Sequence, residues 1–134
     1  MKRVFADTSF FVAAIGARDQ YHRRAVEFMR EYDRQVVTTD FVLIEFGNYL
    51  YRIKDRPFFE PVLRNIQANP QYEIIAATRD LLDRGIERYI ARPDKEWSLT
   101  DCISFVVMEE HKVTEALTSD GDFEQAGFVA LLSS

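Results

Sequence analysis

Nothing constrains this chain more than the run Val4-Phe5-Ala6-Asp7-Thr8-Ser9-Phe10-Phe11-Val12 near its start. Apolar residues lead straight to an acid, two hydroxyl residues follow, and apolar residues resume. This reads as a buried strand ending at Asp7, with Thr8 or Ser9 turning the chain into a helix. In an open α/β sheet, ligand chemistry collects at the carboxyl ends of the strands. Asp7 is therefore a functional candidate by position as well as by type. It is equally suited to capping the helix that follows, and at this point both readings stand.

The rest of the chain alternates between strand and helix patterns. A helix is expected over Gln20 to Asp33, with Ala25, Phe28, Met29 and Tyr32 at helical spacing. Val36-Val37-Thr38 is a β-branched run and a second strand. Thr39 or Asp40 caps a helix from about Phe41 to Arg52, and Pro57 opens another that reaches about Ala68. Tyr72-Glu73-Ile74-Ile75 is a third strand, and Thr78 starts a helix with Gly85 inside it as a close-packing point. Ser98-Leu99-Thr100 opens the next helix, Glu115 to Thr118 is a fourth strand, and Phe123 to Ala126 forms one helical turn stopped by Gly127. Phe128 to Leu132 is a last, edge strand. Such alternation indicates a parallel sheet between helical layers. With 134 residues and no repeat or linker, one domain over residues 1–134 is expected.

Four acids sit where solvent-facing charge is not the natural explanation. Asp7 ends the most apolar strand, and Asp120 follows the strand ending at Thr118. Glu45 lies within Phe41-Val42-Leu43-Ile44-Glu45-Phe46, where a carboxylate without a partner is costly. Asp101 follows Thr100 at the start of a helix, a place that the helix dipole alone would justify. In a parallel α/β sheet, strand ends and helix starts face the same edge. Four carboxylates converging there would repel one another and raise some of their pKa values unless cations intervened. Mg²⁺ and Mn²⁺ prefer such oxygen ligands, and a carboxylate-bound metal site suits phosphodiester hydrolysis. The competing reading is a set of unrelated caps and surface acids.

Composition narrows the setting. Cys102 is the only cysteine, and His22 and His111 are the only histidines, so neither a disulfide framework nor a cysteine-rich zinc site is available. The acid at Asp7 interrupts any secretory leader, and no apolar run approaches the ~20 residues that span a bilayer, so a cytoplasmic location without membrane association is the expectation. The formal charge of -5 argues against an obvious nucleic-acid binder. Loading an acidic cluster with divalent cations, however, reverses its local field.

Four pieces of sequence occur in order: Asp7-Thr8-Ser9-Phe10; Glu45 with Asn48; Ser98-Leu99-Thr100-Asp101-Cys102-Ile103-Ser104-Phe105; and Thr118-Ser119-Asp120-Gly121-Asp122-Phe123. Together with the ending Phe123 to Phe128 they resemble PIN-domain ribonucleases, especially the VapC-like toxins of type II toxin–antitoxin pairs. The resemblance covers essentially the whole chain. It implies a three-layer α/β/α sandwich with a mostly parallel central sheet of about 4–5 strands. It also implies a metal-dependent endoribonuclease with Asp7, Glu45, Asp101 and Asp120 around Mg²⁺ or Mn²⁺. Asp122 falls where many relatives carry another residue, so it is a less secure ligand. Thr8, Ser9 and Asn48 match positions that orient the site, and each is also suited to local capping or hydrogen bonding. Relatives commonly form homodimers and are silenced by a cognate antitoxin.

Rival readings are a structure-specific DNA nuclease, a phosphatase with Asp7 as nucleophile, and a PIN-like module that binds RNA or protein without cleaving. The phosphatase is weakened by Ser9, where a paired acid would be needed, and the non-catalytic module by retention of all four acids. Trp97 is expected to pack beneath the loop before Asp101 rather than stack on a base, and Arg18, Arg23 and Arg24 to lie on a solvated helix face rather than track a phosphate backbone. His22 and His111 read as surface or helix-end residues. Phe58, Phe59, Tyr49 and Tyr51 suit either a helical interface or the core.

Overall fold

The computed structural model describes residues 2–31 and 33–133. The first strand, β1 (Lys2–Ala6), carries Val4, Phe5 and Ala6 with no solvent exposure and stops one residue before Asp7. Helix α1 (Thr8–Ile15) follows immediately, then α2 (His22–Met29). Tyr32, placed by its spacing on the second helix, lies outside the described residues. Strand β2 (Arg34–Thr39) leads into α3 (Asp40–Tyr49), whose N-cap Thr39 accepts the Val42 backbone N–H at 3.1 Å. Pro57 sits in a tight 3-10 turn (Arg56–Phe58) that runs into α4 (Phe59–Ala68).

Strand β3 (Tyr72–Ile75) is followed by α5 (Arg79–Ala91), capped by Thr78, and by α6 (Leu99–Glu110), capped by Ser98. Strand β4 (Glu115–Leu117), the short helix α7 (Gly121–Gln125) and β5 (Val129–Ala130) complete the chain. Gly127 stops α7 with φ +97°, the left-handed conformation that glycine adopts without a Cβ penalty.

All the strands pair in parallel, in the order β3-β2-β1-β4-β5. The chain builds outward from β1 through β2 to β3, then returns to the other side of β1 with β4 and β5. The reversal lies between β1 and β4, the crevice in which open α/β sheets bind their ligands. Phe5 opposes Ala116 and Ala6 opposes Leu117 across this pair, and the Asp7 N–H extends it by donating to Leu117 O at 3.2 Å.

One apolar core holds the layers together. Phe5, Phe10, Phe11, Phe46, Phe105 and Phe123 are all fully buried in it. Helices α5 and α6 lie against each other, and Gly85 is the reason they can: a Cβ there would collide with Ile103. The close-packing role expected of Gly85 is thus observed. Trp97 is buried, with its ring edge-on to Phe105 at 5.1 Å, beneath the loop as expected. No helix among the described residues is long and apolar enough to cross a membrane.

Several expectations need adjustment. The helix expected to reach about Arg52 ends at Tyr49, with Leu50 as its C-cap. The second helix is shorter than Gln20 to Asp33, because the backbone turns at Arg30 and starts β2 at Arg34. The edge strand β5 shrinks to two residues, since β4 offers it only Glu115 and Ala116 as partners. Arg24 is not simply solvated: its Nε donates to Leu131 O at 2.7 Å and ties α2 to the chain end.

Candidate active site

The end of β1 delivers Asp7 into a cleft of about 540 Å³, whose lining includes Glu45, Glu96, Asp101, Asp120 and Asp122. Asp7 occupies the N-cap position of α1, yet its side chain makes no capping hydrogen bond. Its Oδ2 instead accepts from Thr118 Oγ1 at 2.8 Å and from Ser9 Oγ at 3.0 Å. The capping alternative for Asp7 therefore fails. Ser9 also accepts the Ser119 N–H at 3.2 Å, and Thr118 accepts the Asp120 N–H at 3.0 Å. These hydroxyls tie the ends of β1 and β4 together beneath the cleft.

Glu45 reaches the same cleft from the middle of α3, and Thr8 donates its hydroxyl to Glu45 Oε1. Asp101 lies on the first turn of α6 and does double duty. Its N–H donates to Ser98 Oγ at 3.0 Å, and its Oδ2 accepts the Ser98 N–H at 3.4 Å, a reciprocal capping box. Asp120 caps α7 by accepting the Asp122 N–H at 2.9 Å. Capping thus accounts for part of what Asp101 and Asp120 do, but not for their convergence. Carboxylate oxygens of Asp101, Asp120 and Asp122 all lie within 4.8 Å of one another.

The electrostatics are those of crowded acids in a half-dry cleft. Burial pushes the Asp101 carboxyl up to about 7, and the charges of Asp7, Asp120 and Glu45 push the same way against the Ser98 N–H. Burial raises Asp7 to about 6, opposed by the Thr118 and Ser9 hydroxyls. Asp122 is also raised, first by burial and then by Asp120 and Glu96. Among the described residues no lysine or arginine lines the cleft, and none of these acids forms an ion pair. Hard oxygen donors, mutual repulsion and no internal cation make a set that fits a divalent metal ion.

The sequence-predicted acids Asp7, Glu45, Asp101 and Asp120 all line this one cleft, as do Thr8 and Ser9. Asp122, the less secure candidate, is one of the three acids that approach most closely. Asn48 is exposed on α3 outside the cleft lining. Sequence reasoning gave no site role to Glu96 or to the Thr118 hydroxyl. The Thr118 role had one signal, a hydroxyl residue at a strand end two positions before an acid.

The family model for the PIN domain matches residues 4–129, which contain every one of these acids. The chain belongs to the PIN-domain family. The resemblance carried by the four motif pieces therefore holds, and so does the α/β/α fold it implied. This PIN domain is 30% identical over 126 residues to the 23S rRNA-specific endonuclease VapC20 of Mycobacterium tuberculosis, covering 94% of this chain and 95% of that protein. The crystal structure of Mycobacterium tuberculosis VapC20, a sarcin-ricin loop cleaving toxin, matches with a TM-score of 0.83 at 29% identity. That match covers 94% of this chain and 96% of the other. VapBC2 from Rickettsia felis, crystallised with a DNA fragment from its promoter, shares the PIN fold at a TM-score of 0.67 and 13% identity, over 96% of each chain.

Proposed function

We propose that this PIN domain is a metal-dependent endoribonuclease that hydrolyses RNA phosphodiester bonds and acts as the toxin of a toxin–antitoxin pair. The observation that carries the reading is the convergence of Asp7, Glu45, Asp101, Asp120 and Asp122 on one cleft at the β1–β4 crevice, lined among the described residues by no lysine or arginine. The 30% identity to a 23S rRNA-specific endonuclease supplies the substrate class. Asp101, Asp120 and Asp122, with Asp7 and Glu45, would hold Mg²⁺ or Mn²⁺. When bound, such an ion lowers the pKa of water and neutralises charge developing on the phosphate.

The chain's own residues hold the ligand set still. Thr118 and Ser9 fix Asp7 Oδ2, Thr8 fixes Glu45, and the Ser98 capping box fixes Asp101. A carboxylate of the cleft takes the proton lost by the attacking water and returns it to solvent. Thr8 and Ser9 are positioning residues in this account. One domain over residues 1–134, a cytoplasmic location and an antitoxin partner belong to the same reading. A homodimer is supported by the exposed Ile44, Tyr49, Tyr51, Ile53 and Phe58.

Incubating intact ribosomes with the purified protein and Mn²⁺, then mapping 23S rRNA ends by primer extension, tests the substrate. A single discrete cut supports the reading. Uncut rRNA, with cleavage of another RNA by the same preparation, would move the substrate elsewhere.

A further inference from the structure

A second cavity, of about 760 Å³, opens beside the acidic cleft and shares Glu96 and Ser98 with it. Its chemistry is different. Arg92 and Lys95 contribute two cations, and Tyr89 and Ile90 stand 51% and 69% exposed along it. The two cations are held by a common support, the Trp97 ring, with Arg92 Cζ at 5.3 Å and Lys95 Nζ at 5.8 Å from its centroid. Trp97 itself cannot take a base, because only 6% of it is exposed and Phe105 packs against its ring. Its Nε1 also donates to Gln125 Oε1 at 3.3 Å, so the platform is pinned.

We propose that this cavity is the groove that carries the RNA strand next to the scissile phosphate, with Arg92 and Lys95 on backbone phosphates and Tyr89 offering a face for a base. The inference rests on the ribonuclease reading and adds where the substrate lies. A polyanion cannot be gripped by the acidic cleft alone, so positive charge must adjoin it. Cations interleaved with an accessible aromatic are the usual means of holding single-stranded nucleic acid. A third cavity adjoins the cleft through Val12 and Tyr49 and carries one cation, Arg18, with two acids, Asp19 and Asp55, whereas the present one carries Arg92 and Lys95 with one acid, Glu96. In the free protein Arg92 is occupied by a two-pronged pair with Asp94, both hydrogen bonds 2.9 Å. That pair is exposed and therefore weak, and an incoming phosphate replaces Asp94 on the same guanidinium fork.

The test is anisotropy titration of a fluorescein-labelled single-stranded RNA of mixed sequence onto the Asp7→Asn protein in Mg²⁺, across a range of salt. Adding Arg92→Gln and Lys95→Gln together is expected to weaken binding on the order of tenfold and to flatten the salt slope by about 1.4. Asp94→Asn is expected to tighten binding about twofold by freeing Arg92, a direction that mere damage to the loop would not produce. In the active protein, the double variant should raise KM and leave kcat within about twofold. Unchanged RNA affinity and salt slope in the double variant would overturn the groove, and an acidic protein segment as the true occupant gives that result. The two readings fail separately. Cleavage by wild type with no effect of Arg92 and Lys95 removes the groove alone, whereas absence of cleavage with the binding shift intact removes the nuclease alone.

Discussion

Thr118, the residue after β4, donates its hydroxyl to Asp7 Oδ2 at 2.8 Å across 111 residues of sequence. The Thr118 hydroxyl oxygen in turn accepts the Asp120 N–H. One buried hydroxyl therefore fixes an acid from each side of the sheet reversal.

Replacing it by an isostere without the hydroxyl strips Asp7 of a donor and leaves the Asp120 N–H unpaired. Thr118→Val is expected to cost about 1–2 kcal/mol of stability and to lower kcat with little change in KM. Thr118→Ser, which keeps the hydroxyl, should recover most of the loss in kcat. Steady-state cleavage kinetics alongside thermal melts separate the two effects.

The acids should divide by what they hold. Asp101→Asn and Asp122→Asn each remove charge from the closest trio of carboxylates, so both should weaken Mn²⁺ binding in calorimetry by at least about tenfold. Asp122→Asn with wild-type Mn²⁺ affinity would leave Asp122 as a surface acid of α7 with no part in the ligand set.

The raised carboxyls predict a pH effect on the metal-free protein. In the unfolded chain an aspartate titrates near 3.9, whereas folded Asp7 and Asp101 titrate at about 6 and about 7. Between these values the folded state binds more protons, so stability falls as pH rises from about 4 through about 7. Asp101→Asn should flatten that fall and stabilise the metal-free protein by about 1–3 kcal/mol near pH 8. Denaturant melts in chelator, repeated across this range, give the slope directly. Adding Mn²⁺ near pH 8 should raise the melting temperature of wild type much more than that of the variant.

Packing gives a prediction independent of the chemistry. Gly85→Ala places a Cβ into Ile103 and should destabilise the fold by about 1–3 kcal/mol through separation of α5 and α6. Urea melts of the variant measure it, and Gly85→Ala combined with Ile103→Ala, which removes the colliding Cγ1, should cost less than the two single changes added together.

How far these features were legible depended on how local their causes are. Strand β1 was readable because Val4, Phe5 and Ala6 are buried as a continuous run, and the caps Thr39, Thr78 and Ser98 act within three residues of themselves. The convergence of the acids was readable because strand ends and helix starts share an edge. What escaped was set by contacts distant in sequence. The helix after Gln20 stops early because β2 must begin at Arg34 to pair with Lys2. The roles of Thr118 and Glu96 depend on neighbours that only the folded sheet brings near, and Asp122 was underweighted because its partner Asp101 lies on another helix. Asn48 shows the converse: a position matched by resemblance lies on the exposed face of α3.

The most direct measurement is cleavage of a mixed structured-RNA pool by wild type and by Asp7→Asn, each in Mg²⁺, in Mn²⁺ and in excess chelator. The account predicts discrete cuts by wild type that require the metal and a loss of at least about 100-fold in Asp7→Asn. Full activity in Asp7→Asn, or cutting that persists in chelator, would contradict it.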